Sequence, residues 1–321
     1  MFLYSKPASC YLFFMTLIVG YLLLPINSAI GKESIIAIDV TLLPTFSPEK
    51  LALGRRLFHE TALSANGKLA CAKCHPLDKY TADGLDFSLG ADGKPLDYNT
   101  PSINYASLNL YLGWAGNISD LRQHLEVLIH NPKEMNTTWP SIIKRLKSDE
   151  GYSRQFTQSG YSVIDSDAIT EAIIAFEISL VKPSRFDLYL QGDIKQLNAQ
   201  EIKGYQLFKD YGCIACHQGI NIGGNMRQTF GVMNSYYDSQ KVVKRRDFGY
   251  FNITQHDEDK FLFKVPSLRN VAQTAPYFHD ASAKSLKQAI RVMFKFQLGL
   301  SPQEAEIEAI ESFLHTLDSI E

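Results

Sequence analysis

Four cysteines and two histidines stand at spacings that could do chemistry: Cys71-Ala-Lys-Cys74-His75 and Cys213-Ile-Ala-Cys216-His217. A pair of thiols three residues apart can form a redox dithiol, which needs no histidine behind the second cysteine. It can also supply half of a zinc site, but zinc would want two further ligands at matching spacing. Covalent haem attachment does need the histidine. Two thiols add across the porphyrin vinyl groups while an imidazole reaches the iron from one face, and C-x-x-C-H brings all three together within roughly one helical turn. The tandem occurrence predicts two covalent c-type haems, one on Cys71, Cys74 and His75 and the other on Cys213, Cys216 and His217.

What each iron can do depends on its sixth ligand. Six protein-supplied ligands make an electron carrier, whereas an open position can bind peroxide or another small molecule. The candidates are Met135, Met226, Met233, Met293 and the remaining histidines. Met293 lies on a predicted helix, "SLKQAIRVMF", in line with Leu286, Ala289 and Ile290, and periodicity alone reads it as a core methionine. Trp114 reads equally as a core aromatic. Glu134, directly behind Asn-Pro-Lys, reads as a solvated loop acid. His124 falls between Leu121 and Leu128 on one helical face, either as a semi-buried histidine or as a catalytic one.

The elements that must position these residues come in two similar sets. Ahead of each motif stands a glycine followed at the same spacing by Leu-Phe: Gly54 with Leu57-Phe58, and Gly204 with Leu207-Phe208. Behind each comes an apolar-periodic helix. The first is expected over Ala168–Leu180, with Asp165 to Asp167 as caps. The second is expected over Glu304–Leu317, with Ser301 as cap and Pro302 at the first position. Strand signals are sparse, and the Gly-, Asn- and Asp-rich stretches 81–104 and 219–259 read as loops that wrap the cofactors. The expected fold is mostly α, as two tandem cytochrome c-like domains each holding one haem. An N-terminal domain spans 31–190 and a C-terminal domain 191–321, joined through "VKPSRFDLYLQGD".

At 321 residues the chain is long enough for two such cores. A formal net charge of -2 with 21% charged residues offers no basic surface for nucleic acid. Residues 1–30 read as an export signal: a positive start, an apolar run over Tyr11–Leu24, then small residues around Ser28 and Ala29. The other reading is a retained anchor, against which Pro25 leaves the run shorter than the roughly 20 residues of a comfortable span. Either way the body is expected outside the cytoplasm, in the periplasm. Of five cysteines, Cys10 falls in this segment and the other four make up the two pairs.

Together with "FKVPSLRNVAQTAPYFHDAS" and "AIRVMFKFQLG", these residues resemble the bacterial di-haem cytochrome c peroxidases and their MauG-like relatives, from about Leu51 to Leu317. The resemblance implies that Met293, fourteen residues after His279, is the axial methionine of the C-terminal haem, making it an electron store of relatively high potential. It implies that Trp114 in "GWAGN" lies between the haems and that Glu134 is the distal acid beside the N-terminal haem. It also implies an inter-domain calcium ion on Asn99 and the carbonyls of Thr274 and Pro276. Three departures stand out. Ala91 occupies the position of the histidine that closes the resting iron in peroxidases needing reductive activation. His124 replaces a glutamine, and "WAGN" replaces the commoner "WDGR". The N-terminal haem is therefore expected open, with His75 its only protein ligand.

The implied function is reduction of hydrogen peroxide to water, with Glu134, His124 and Trp114 as catalytic residues and a small cytochrome c or cupredoxin as donor. The alternatives are a MauG-like enzyme that uses peroxide to oxidise a tryptophan or tyrosine of a partner protein, and a di-haem electron carrier. Family members are often dimers, which extends the expectation to a homodimer.

Overall fold

The computed structural model of the chain describes residues 34–238 and 242–320; the expected export signal and Cys10 lie outside them. Its helices are α1 (Pro48–Phe58), α2 (Cys71–Cys74), α3 (Leu121–His130), α4 (Trp139–Lys147), α5 (Glu150–Gln158), α6 (Ser166–Ser179), α7 (Arg185–Leu190), α8 (Ala199–Asp210), α9 (Phe251–Thr254), α10 (Leu286–Val292) and α11 (Glu304–His315). Among the described residues the only sheet pairs β1 (Arg227–Thr229) with β2 (Leu262–Lys264), antiparallel, with Gln228 opposite Phe263. The fold is mostly α, as the sequence predicts. Among the described residues no helix is long and apolar enough to cross a membrane.

Local chemistry starts these helices. Ser47 caps α1 by accepting from the Lys50 amide, with Pro48 in the first turn, where its missing N–H costs nothing. Asp165 caps α6 through the Ala168 amide at 2.8 Å. Asn198 and Glu201 form a reciprocal capping box on α8. The start of α11 differs from expectation: Gln303 and Glu306 form the capping box, so the helix begins two residues beyond Pro302 and Ser301 is not its cap.

Two main apolar cores result. One runs from Leu53 to Ile173 and includes Leu57, Leu125, Ile142, Phe156 and Ile169. The other combines Phe186, Tyr205, Phe208, Ile290, Phe294 and Phe313 with Ile35 from the start of the described chain. In each, an opening and a closing helix cross at the glycine of the Gly/Leu-Phe element. A Cβ on Gly54 would fall 2.1 Å from the Ala172 carbonyl oxygen, and one on Gly204 would fall 1.8 Å from that of Ala309. Only a bare α-carbon permits backbones this close.

The segment that the sequence reads as a joint between the halves is itself structured and contributes Phe186 to the second core. It forms α7, whose Asp187 is fully buried with Arg269 in a two-pronged ion pair at 2.8 and 2.9 Å. Asp187 also accepts from the amides of Ile38 and Ser184. Every lone pair of this buried carboxylate is thereby used, the condition for such a pair to be tolerated. Beside it, residues 34–38 run as a strap against the second haem-motif loop. The Gly219 amide donates to Ser34 O, the Ile36 amide donates to Gly219 O, and Gln191 donates to Ile38 O.

Candidate active site

The first motif turns as α2, the second as a short 3₁₀ turn, and each ends in its histidine. None of Cys71, Cys74, Cys213 and Cys216 is in a disulfide. Burial pushes the Cys71 and Cys213 thiols up to about 12, so both stay protonated. His75 Nδ1 lies 2.9 Å from Thr81 O, and His217 Nδ1 lies 3.4 Å from Ile222 O. Both imidazoles are held neutral by burial, His217 down to about 4. A neutral ring with Nδ1–H committed to a carbonyl presents a bare Nε2 lone pair, the form that binds a metal.

Beside the second motif is a mostly apolar cavity of about 380 Å³, bordered by Cys213, Cys216, His217 and Met293 together with Leu286, Ile290 and Leu314. Met293 is where α10 gives way to a π-helical stretch, Met293–Leu298, rather than continuing the α-helix expected from its periodicity. Single π turns of this kind often occur at functional sites, because they re-aim one side chain. Trp114, Asn99, Thr274 and Pro276 border the same cavity.

Trp114 ties the segment around Asn99 to the segment around His279. Its Nε1 donates to Asn99 O at 2.8 Å, and its ring meets His279 edge-on at 6.2 Å between centroids. The Asn99 amide donates to His279 O, and the Lys264 amide donates to Trp114 O, so the two segments clasp each other reciprocally. His279 in turn bonds Asp247 at 3.0 Å and stacks on Phe263. Asn99 donates its side-chain nitrogen to the carbonyls of Leu85 and Asp86, which leaves the lone pairs of Oδ1, an acceptor, uncommitted by these bonds.

Glu134 and His124 lie on the first-motif side. Glu134 sits in the turn after α3, its amide bonded to Asn131 O. Its Oε2 is sealed from solvent with no hydrogen-bond partner. Burial raises this carboxyl to about 7, only partly offset by an Asn131 hydrogen bond, and it is close enough to Cys74 to affect that thiol. The solvated-acid reading is therefore wrong for Glu134: the loop turns its carboxyl inward. His124, on α3, is pushed down to about 4, chiefly by burial and to a lesser degree by its nearness to His75 and Lys264. Ala91 lies in a loop pinned beside this turn. Its amide donates to Lys133 O, and its carbonyl accepts from Asn66 at 2.7 Å.

Two further buried ionisable groups escaped the sequence reading. Glu177 on α6 is raised to about 7 by burial and influences Cys71. It takes the place that Leu314 holds on α11, and of the two acids in "AITEAIIAFEISL" it is the one that falls on the buried face, Glu171 being exposed. Lys264 is lowered to about 8 by burial and borders the cavity. It precedes Val265-Pro266-Ser267 as Asn99 precedes Thr100-Pro101-Ser102, which the sequence carries in plain view.

A helix-rich chain with two C-x-x-C-H corners, neutral buried histidines and an apolar cavity is built for tetrapyrrole redox chemistry. A sequence model described as di-haem cytochrome c peroxidase matches residues 48–195. The chain is 36% identical over 280 residues to a cytochrome c peroxidase of Escherichia coli, covering 87% of this chain but only 60% of that relative. It is 35% identical over 309 residues to a cytochrome c551 peroxidase of Nitrosomonas europaea, covering 94% of this chain and 91% of the other. Among solved structures, a MauG-like protein associated with microbial copper homeostasis superposes with a TM-score of 0.76 at 28% identity, over 89% of this chain and 93% of that one. The chain belongs to the di-haem cytochrome c peroxidase family. Membership makes it an oxidoreductase of the peroxidase type with two haem groups.

Proposed function

We propose that the chain reduces hydrogen peroxide to water outside the cytoplasm, using two haems held covalently by the C-x-x-C-H corners and electrons from a small cytochrome c or cupredoxin. The observation that carries this reading is Glu134: a buried carboxyl with an unpartnered oxygen, raised to about 7, beside the first motif. Bound here, the two haems would supply the redox chemistry, one as the peroxide-reducing centre and the other as an electron store. His75 and His217 would hold the two irons through Nε2, and Met293, which borders the same cavity as His217, would hold the second iron as well. Each core is read as one haem-bearing half, with the boundary near residue 190.

The protein's own work on peroxide is proton management. Glu134 Oε2 takes the proton from the near oxygen and returns it to the far one, so that water departs instead of hydroxide. A second proton and two electrons complete the balance of one peroxide to two waters. His124, neutral at working pH, donates a hydrogen bond to the departing oxygen. Trp114, hydrogen-bonded to one half and packed on the other, lies on the route between the cofactors. Asn99 with the carbonyls of Thr274 and Pro276 is read as a calcium site bracing that junction.

The pinned loop around Ala91 supports a first haem open at rest. Electron paramagnetic resonance of the as-isolated ferric protein is expected to count one high-spin and one low-spin haem. Two low-spin haems, persisting on reduction, would overturn the enzyme reading in favour of an electron carrier. Covalent attachment has its own test. Haem staining after denaturing electrophoresis is expected to give two haems per chain, with Cys71→Ser/Cys74→Ser retaining one; full retention in that variant would refute the assignment.

The likeness to a MauG-like structure supports a second reading, oxidation of a tryptophan or tyrosine in a partner protein. Rapid oxidation of reduced cytochrome c by enzyme and peroxide favours the peroxidase. Slow oxidation with a long-lived oxidised spectrum favours the partner-modifying enzyme.

A further inference from the structure

The two C-x-x-C-H corners repeat the same arrangement, with one more residue between His75 and Thr81 than between His217 and Ile222. After each histidine the chain makes a left-handed residue, Thr81 at φ +57° and Ile222 at φ +49°, whose carbonyl faces the histidine Nδ1. Each corner then packs on a Pro-Ser segment. Ser102 Oγ donates to Tyr80 O, and Ser267 Oγ donates to Asn221 O, which fixes Thr81 and Ile222 as equivalents. Pro101 and Pro266 bring a second carbonyl near the respective imidazole in both halves. That contribution is common to both corners.

One difference remains. In the second half the Leu268 amide donates to Ile222 O at 3.3 Å, so this carbonyl is shared between an amide and His217. The histidine contact is 3.4 Å, at the weak end of hydrogen bonding. In the first half the equivalent Ile103 amide donates to the Thr81 hydroxyl at 2.9 Å, and the Asn104 amide joins it at 3.1 Å. Thr81 O is thus spared for His75, at 2.9 Å. A side-chain oxygen diverts the competing amide, and isoleucine has none to offer.

We propose that Thr81 is a positioning residue that lowers the reduction potential of the N-terminal haem relative to its partner, by reserving its own carbonyl for His75 Nδ1–H. A stronger Nδ1–H···O bond makes the imidazole a better electron donor at Nε2, which favours ferric over ferrous iron. Ile222 leaves His217 the weaker donor, which suits the haem that stores an electron. The proposal rests on the reading that both corners carry haem.

The test is spectroelectrochemistry with resonance Raman on purified holoprotein, in Thr81→Val and Ile222→Thr, after haem stoichiometry is measured. In Thr81→Val the ratio of reduced to oxidised first haem at a fixed potential is expected to rise about tenfold, about 59 mV for one electron. The iron–histidine stretch of the reduced first haem is expected to move to lower frequency. Ile222→Thr is expected to shift the second haem's ratio the opposite way, and that arm reads independently should Thr81→Val fail to assemble. Two bound haems with both potentials and the stretch unmoved would overturn the proposal alone. Absence of haem from the wild-type corners would instead overturn the functional reading beneath it.

Discussion

Replacing Glu134 with glutamine is expected to lower peroxide turnover by a factor on the order of 10² to 10⁴, the range of a lost general acid–base, with both haems retained. Glutamine keeps the shape and the Asn131 neighbourhood but cannot carry a proton between the two peroxide oxygens. The same change is expected to stabilise the protein at high pH. Burial raises the Glu134 carboxyl from 4.5 to about 7. Between those values the folded state holds a proton that the unfolded chain has released, so stability falls as pH rises through this window, by about 3 kcal/mol once ionisation is complete. The variant escapes that loss. Its thermal midpoint should exceed the wild type's at pH 8 and match it near pH 4.5, while wild-type turnover climbs with pH through about 7. Full turnover in the variant would remove Glu134 from the mechanism, and a midpoint difference independent of pH would remove the burial argument.

Gly204→Ala is expected to cost at least about 3 kcal/mol, more than overpacking by one methyl usually does. The new Cβ would stand 1.8 Å from the Ala309 carbonyl oxygen and 2.9 Å from Phe313 Cβ. Neither is the yielding end of a flexible side chain, so α8 and α11 must separate. The higher helix propensity of alanine recovers only about 1 kcal/mol. Because this crossing builds the second core, haem occupancy at Cys213 and Cys216 should fall along with the urea midpoint. A variant with wild-type midpoint and full occupancy would mean the helices part freely. Gly54→Ala, at 2.1 Å from Ala172 O, should do the same to the first core.

What the sequence disclosed follows from the range of the interactions involved. The two C-x-x-C-H corners, the caps of α1 and α6 and the Gly/Leu-Phe elements are short patterns whose physics is local, and they could be read directly. The cap of α11 was misplaced because Ser301-Pro302 and Gln303 compete within three residues, and the capping box with Glu306 wins. The π turn at Met293 leaves no mark in periodicity, since seven preceding residues are regular α-helix. Glu134 misled because loop acids are usually solvated, and only the fold turns this one inward. Lys264 and the Thr81 hydroxyl depend on partners far away in the chain or on comparison of the two halves, and neither position announces itself alone.

The strap at residues 34–38 makes the beginning of the described chain a tenant of its end. Ile35 packs with Phe186, Phe294 and Phe313, and the Ile38 amide is held by the carboxylate that also binds Arg269. In order of synthesis, that strap emerges early, meets its hydrogen-bond partners only when residues 187–219 have appeared, and completes its packing only with Phe313. The carboxy-terminal core can close only by reaching back across the whole molecule. A protease nick between α7 and α8 should therefore leave the two pieces tied together, released only by unfolding.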